Sequence, residues 1–211
     1  MARASLLAVV LCSSLLLPVA VSAAEAPLAV APLSRTERDA LLSRQLVSRP
    51  YRFERGADGY YVGGVSYQVV RAAPDDVLTA LANVESLPHA LPSTLEAKLV
   101  SREGRTARVE LVQGKPPFVA RYTVVLEQAA DGNAIRFWLD PTRPHDIRDV
   151  WGFFRVERFG RDRTLVTVAA ALDLGPGLTR AFFEERVQRS ILKTPSRIRS
   201  FVEPLALSSA R

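Results

Sequence analysis

Histidine is the side chain best suited to proton transfer near neutral pH, and the 211-residue sequence contains two, His89 and His145. His145 stands beside Asp146, and a histidine next to a carboxylate is a pair that a general base can use. His89 lies in a segment bounded by Pro88 and Pro92. Because neither histidine belongs to a catalytic or metal-binding motif, we expect both to be exposed loop residues, with a general base at His145 as the alternative.

Motifs that carry covalent, phosphate-binding or metal chemistry are absent from the sequence. It contains no H-E-x-x-H, no G-x-S-x-G, no glycine-rich phosphate loop and no EF-hand pattern. Its single cysteine, Cys12, lies in an N-terminal segment that we expect to be removed, so no thiol remains for catalysis, disulfides or metal binding. The sequence therefore predicts no catalytic residue, no metal site and no cofactor.

Arginines within predicted strands are candidates for binding an acidic head group, provided that they point into a cavity. These arginines are Arg108, Arg121, Arg136 and Arg155. Strand alternation places Arg121 opposite Tyr122 and Arg136 opposite Phe137, which favours a solvated outer face for both arginines. The orientation of Arg155 stays open, because aromatic residues share its side of the strand.

The charge balance is mildly basic, with a formal net charge of +6 at pH 7. A positive surface favours anionic partners, and an anionic membrane surface is one that this composition allows. The sequence has no lysine- and arginine-rich run and no RNA-binding motif, so we expect no nucleic-acid partner.

The first 24 residues have the three parts of a secretory signal peptide. Arg3 supplies the positive charge, the segment from Leu6 to Leu17 is largely apolar, and small residues precede Glu25. The apolar segment is shorter than the roughly 20 residues that a membrane span requires, so we expect cleavage rather than anchoring. The protein is therefore predicted to be periplasmic or secreted.

A basic amphipathic helix is predicted over residues 35–48, in an N-terminal extension that covers 25–61. Ser34 and Glu37 have the spacing of a capping box, and Pro50 is expected to end the helix. Arginines occupy its polar side, so the helix could rest on an anionic membrane or on a partner. The alternative is that it packs on the protein's own sheet.

The centre of the chain alternates in the manner of β-strands. Strands are predicted near 51–55 and 60–71, two short helices near 73–92, and six further strands, which cover 94–102, 105–113, 118–128, 134–139, 149–158 and 163–173. Their short connections require antiparallel pairing. A long amphipathic helix follows over 177–203, with a kink expected at Pro195.

Four short motifs in this order resemble the START-like superfamily, whose members include polyketide cyclases, coenzyme Q-binding proteins and lipid carriers. Residues 73–78 (APDDVL) are similar to the start of its first helix, and residues 87–92 (LPHALP) to the segment that follows. Residues 150–156 (VWGFFRV) are similar to its G-x-W strand, and 163–175 to its T-x-V…D-x-G strand. The resemblance covers residues 62–203.

The resemblance implies an α+β helix-grip fold, in which a curved antiparallel sheet wraps around the long C-terminal helix. Together with the signal peptide, the resemblance gives four predicted parts of the chain. They are the signal peptide (1–24), the extension (25–61), a START-like domain (62–203) and a C-terminal tail (204–211). In this fold one face of the sheet is both core and pocket wall. The candidate ligand-contacting residues are Tyr122, Phe137, Leu139, Trp151, Phe154, Phe182, Phe183 and Val187.

Three functions follow as expectations. The first is non-catalytic binding of a hydrophobic small molecule, such as a lipid or an isoprenoid, in a cavity between the sheet and the C-terminal helix. The second is a polyketide cyclase- or dehydratase-like activity, which requires His89, Tyr122 or Arg155 inside the cavity. The third is an interaction role for the basic helix at a membrane or on a partner protein.

Overall fold

Eight antiparallel strands form one sheet in the computed structural model, which describes residues 30–56, 59–176 and 178–209. The predicted signal peptide lies outside these residues. The strands are β1 (Val47–Arg55), β2 (Gly59–Val70), β3 (Thr94–Glu103), β4 (Thr106–Lys115), β5 (Phe118–Gln128), β6 (Ala134–Leu139), β7 (Asp149–Arg158) and β8 (Thr164–Asp173). Their order across the sheet is β1-β2-β8-β7-β6-β5-β4-β3, which confirms the predicted antiparallel arrangement.

Five α-helices accompany the sheet in the described part of the chain. They are α1 (Arg35–Leu42) before β1, α2 (Pro74–Ala82) and α3 (Leu87–Ala90) between β2 and β3, and α4 (Leu178–Leu192) and α5 (Thr194–Ser209) after β8. A single 3₁₀ turn, Val84–Ser86, joins α2 to α3. None of these described helices is long and apolar enough to cross a membrane. The architecture is the α+β helix-grip fold that the resemblance implied.

The two faces of the sheet carry different side chains and are covered by different helices, because successive residues of a strand point to opposite sides. We call the face against which α2, α3 and α5 pack the inner face. It carries Leu111, Tyr122, Phe137, Phe154 and Val168. The outer face is in contact with α1 at β1 and β2. It carries Tyr61, Val65, Tyr67, Trp151 and Ala169.

Helix α1 begins where it was predicted but is shorter than the expected helix at 35–48. The capping box is present, because the Ser34 amide donates to Glu37 Oε2 at 2.7 Å and the Glu37 amide donates to Ser34 Oγ at 3.2 Å. The helix ends before Arg44, whose φ of 61° is left-handed, a conformation common just after helices. Pro50 lies inside β1, where an edge strand tolerates the missing amide hydrogen.

The basic helix packs on the protein's own sheet, which was one of its two alternatives. Leu41 is fully buried against the outer face. Arg44 pairs with Glu203 of α5 at 2.6 Å, and Arg49 pairs with Glu37 at 2.7 Å. These contacts give no support for a membrane role of this helix.

The predicted N-terminal extension is continuous with the START-like domain. Strand β1 pairs with β2 along its length, from Val47 opposite Tyr67 to Arg55 opposite Gly59. Residues 47–55 and 59–61 therefore supply an edge strand and the start of its neighbour to the same sheet.

The C-terminal helix is bent, but the break lies earlier than predicted. The predicted helix at 177–203 is two helices that meet at Lys193, so Pro195 lies in the first turn of α5, where no amide hydrogen is needed. The predicted C-terminal tail, 204–211, is helical up to Ser209. This part continues α5, with Pro204 inside the helix.

Candidate ligand-binding site

Four of the predicted site residues lie together on the inner face, on three neighbouring strands. Tyr122 is on β5, Phe137 and Leu139 are on β6, and Phe154 is on β7. The register pairs Val124 with Leu139 and Ile135 with Phe154, which aligns the inward positions of these strands. The strands therefore form a continuous apolar wall.

Part of this wall is open to solvent. Phe137 and Leu126 are only partly buried, although both point to the inner face, and the Phe137 and Phe154 rings lie 5.2 Å apart. Ala120 of β5 is partly exposed on the same face. Apolar side chains that stay accessible on an inner face provide the kind of surface that a hydrophobic ligand covers.

Helix α4 is hydrogen-bonded to β1 and β2, at the edge of the sheet away from β5 and β6. Gln188 is buried, and its Nε2 donates to the carbonyl oxygens of Tyr51 and Gly63, at 3.0 Å each. A side chain at Gly64 would place its Cβ 2.9 Å from Leu192 Cδ2. Gly64 therefore allows α4 to lie close to β1 and β2.

The same helix also reaches the hairpin between β4 and β5. The rings of Phe183 and Phe118 lie 4.5 Å apart, and Phe118 is 59 % exposed. Five residues of helix separate Phe183 from Gln188, a rise of only about 7.5 Å. Since β2 and β5 are separated by three strands, the sheet must curl around α4 for both contacts to form.

The remaining predicted site residues have different positions. Val187 lies on α4, one residue before Gln188, and is partly buried. The side chain of Phe182 lies outside the described part of the structure. Trp151 points to the outer face, where its ring lies 6.3 Å from Phe53 and 6.4 Å from Tyr61. Trp151 is therefore not part of the wall, because it differs in parity from Phe154 of the same strand.

A polar chain at one end of the wall was not predicted. The Tyr122 hydroxyl donates to Gln113 Oε1, and Gln113 Nε2 donates to Thr94 Oγ1 at 2.6 Å. Burial raises the pKa of the Tyr122 hydroxyl, so this group stays protonated and remains a hydrogen-bond donor. Alternation along β4 places Gln113 on the same face as Leu111, and this signal was available in the sequence.

Neither histidine faces the wall. His89 is exposed, and its ring stacks on Phe201 of α5 at 5.7 Å. His145 is exposed, and its Nδ1 lies 2.7 Å from the Ile147 carbonyl oxygen. Asp146 Oδ2 accepts a hydrogen bond from the Arg121 amide at 2.8 Å. The expectation that both histidines are exposed is confirmed.

The four strand arginines that were candidates for binding an acidic head group lie on the outer face. Arg121 and Arg136 are exposed, and Arg121 pairs with Glu110 at 2.6 Å. The Arg155 guanidinium lies 5.1 Å from the ring of Phe153, which shares its side of β7. Arg108 pairs with Asp140 at 3.2 Å.

Three solved structures share this fold at low sequence identity. A protein from Thermus thermophilus is 19 % identical, with a TM-score of 0.58 over 70 % of this chain and 98 % of its own. The Zhui aromatase/cyclase from Streptomyces sp. R1128 is 14 % identical, with a TM-score of 0.58 over 72 % of this chain and 95 % of its own. The STAR-related lipid transfer protein from Xanthomonas axonopodis is 15 % identical, with a TM-score of 0.58 over 72 % of this chain and 98 % of its own.

Comparison of the sequence with known families identifies the family of this chain. No curated protein matches it. Residues 64–199, more than half of the chain, match the family described as polyketide cyclase / dehydrase and lipid transport. The chain therefore belongs to this family, within the START-like superfamily that its motifs resemble.

Proposed function

We propose that this domain binds a hydrophobic molecule, such as a lipid or an isoprenoid, between the inner face of the sheet and α4, without covalent chemistry. The observation that carries the proposal is the wall formed by Phe137, Leu139 and Phe154, part of which is open to solvent, on the face that α4 contacts at β2 and at Phe118 of β5. The family description, which includes lipid transport, supports the same ligand class.

The physical basis of binding is burial of apolar surface. A ligand that covers the open parts of Phe137 and Leu126 gains about 25 cal/mol for each Å² removed from water. The Tyr122 hydroxyl, with Gln113, offers one polar contact at the end of the wall. This arrangement suits an amphipathic molecule that has a long apolar part and one polar group.

The proposal is tested with purified protein by native mass spectrometry and lipid extraction. Phe137→Ser places a hydroxyl on the wall, whereas Trp138→Ser changes the next residue of the same strand on the outer face. We expect the first variant to lose bound ligand at least about tenfold, because apolar burial is replaced by an unpaired hydroxyl. The second should retain its ligand.

A second variant covers the case in which Phe137→Ser does not fold. Ala120→Phe adds a ring to a partly exposed position of the inner face and narrows the space beneath α4 without removing core side chains. Ligand loss in this variant supports the proposal. Purified protein that carries no lipid, and whose melting temperature no lipid raises, contradicts it.

A cyclase- or dehydratase-like activity is the second candidate, and Tyr122 is the residue that favours it. Of the three polar groups considered for this activity, Tyr122 alone lies on the inner face, while His89 is exposed and Arg155 lies on the outer face. A protonated phenol can donate a hydrogen bond to a substrate carbonyl, but its partner Gln113 is not a base. Turnover of a polyketide-type substrate that disappears in Tyr122→Phe would favour this function.

We also propose that the protein acts outside the cytoplasm. The support comes from the signal-peptide pattern of residues 1–24. Cell fractionation followed by mass spectrometry of the N-terminus tests this. We expect the protein outside the cytoplasm, with an N-terminus near Glu25. An intact N-terminus on a cytoplasmic protein contradicts export.

A further inference from the structure

A second pocket lies at the other end of the sheet, away from Phe118 and the start of α4. It forms where β2 leads into α2, beside the turn from β7 to β8, and Ala206 of α5 closes one side. Its volume is about 300 Å³, at the lower end of the range for small-molecule sites. The charged residues of its lining are Arg71, Asp76, Arg158, Arg161, Asp162 and Arg163.

The four arginines come from two segments that the fold brings together. Arg71 follows the last residue of β2. The other three lie at the end of β7 and in the turn to β8, which a hydrogen bond from the Phe159 amide to the Arg163 carbonyl oxygen closes at 2.8 Å. Three of the arginines are therefore close in the sequence, and the tertiary structure adds Arg71 from β2 to them.

The arginine side chains that line this pocket have no partner among the described residues. Within the described residues, none of the four has a side-chain hydrogen bond or an ion pair. The nearby carboxylate of Glu203 is already occupied, because it accepts from the Arg71 amide at 2.9 Å and from Arg44 at 2.6 Å. Arg71 thus meets this carboxylate through its main chain.

The balance of charge in the pocket favours an anion. Four arginines line the pocket together with two aspartates, Asp76 and Asp162, so the charged residues of the lining have a net positive charge. Like charges around one cavity repel one another, and an anion relieves that repulsion. The uncharged lining is made of alanine and proline, so the pocket offers little apolar surface to a hydrophobic ligand.

We propose that this pocket binds a phosphate group, either as free phosphate or as the head group of an anionic lipid. Guanidinium groups bind phosphate oxygens through paired hydrogen bonds, and the pocket presents several of them unpaired. The site is separate from the apolar wall. This proposal therefore does not depend on whether the wall binds a hydrophobic ligand.

The test uses two arms with the purified protein. In the first, inorganic phosphate is titrated at constant ionic strength while amide chemical shifts are followed by NMR. In the second, flotation with vesicles of phosphatidylcholine is compared with flotation with vesicles that also contain phosphatidylglycerol. The pocket variant is Arg158→Gln/Arg161→Gln, and the charge-matched control is Arg55→Gln/Arg105→Gln, at exposed positions outside the pocket.

We expect the shifts to centre on residues 71–76 and 158–163, and the pocket variant to weaken binding about tenfold or more, as for loss of charged hydrogen bonds. The control should change binding less than about twofold, because it alters only the overall charge. Binding in the phosphate arm identifies the free anion, and binding only to phosphatidylglycerol vesicles identifies a lipid head group. No binding in either arm, or equal weakening in both variants, overturns the proposal.

Discussion

The inner face of the sheet is closed over β8 and partly open over β5 and β6. Over β8, Val166 and Val168 pack beneath α5, whose Ile198 and Val202 are buried as well. Over β5 and β6, Leu126 and Phe137 point to the same side but remain partly exposed. The same alternating pattern therefore builds a core where a helix covers it and a candidate ligand surface where the cover is incomplete.

We call the part of the inner face over β8 the closed half and the part over β5 and β6 the open half. The largest expected effect comes from shortening a buried side chain in the closed half. Ile198→Ala should lower the free energy of unfolding by about 3 kcal/mol, because the side chain is fully buried and leaves a cavity. Leu126→Ala in the open half should cost only about 1 kcal/mol, since less of its surface is removed from water. Urea unfolding of both variants measures the difference, and equal losses would mean that the two halves are packed alike.

The position of α4 over the open half depends on Gly64. A methyl group there would lie 2.2 Å from the Arg49 carbonyl oxygen and 2.9 Å from Leu192 Cδ2. Gly64→Ala should therefore cost about 2 kcal/mol through overpacking and should displace β1 or α4. Gly104→Ala is a control without steric conflict, although its positive φ of 58° adds some strain of its own. Hydrogen exchange that is faster in α4 for Gly64→Ala alone would confirm the role of Gly64.

Glu203 of α5 should make the stability of the fold depend on pH in the acid range. Burial of Glu203 on its own would raise its pKa, but hydrogen bonds from the Arg71 amide and from Arg44 outweigh burial, and the pKa lies below its usual value of 4.5. A lowered pKa means that Glu203 stabilises the fold above the unfolded-state pKa and loses this effect as the pH falls through the folded-state pKa.

Glu203→Gln therefore reduces stability at neutral pH by about 1–2 kcal/mol, as expected when charged hydrogen bonds are lost. The gap between this variant and the unchanged protein should narrow as the pH is lowered below 4.5. Thermal unfolding at several pH values measures this gap. Glu54→Gln, at an exposed position of β1, is the control and should show little difference at any pH. A gap that stays constant down to acid pH would contradict the assignment.

Local patterns were sufficient to predict the strands and most of the wall. The strands from β3 to β8 lie within two residues of their predicted bounds, because alternation and turn residues are encoded locally. The same alternation placed Tyr122, Phe137 and Leu139 on one face. Trp151 was grouped with them by its aromatic character, although its odd position in β7 sends it to the outer face with Tyr61.

Features that depend on pairing between distant segments were not predictable from local patterns. The contact between Gln113 and Thr94 requires the register of β3 against β4, which the sequence alone does not fix. The arginine pocket requires the end of β2 to meet the turn between β7 and β8. Helix α1 ends at Leu42 and not near residue 48, because the chain from Val47 onward pairs with β2.

The smallest effect is expected for Tyr122→Phe, which removes one hydroxyl from the end of the open wall. The loss of its hydrogen bond to Gln113 should cost about 1 kcal/mol or less, because the ring and its burial are kept. If this hydroxyl meets the polar end of an amphipathic ligand, the variant should bind a fully apolar hydrocarbon as well as before. It should bind the matching alcohol several-fold more weakly, because one hydrogen bond contributes about 1 kcal/mol. Calorimetric titration with the two compounds separates the outcomes, since equal weakening for both compounds would indicate that Tyr122 only packs the wall.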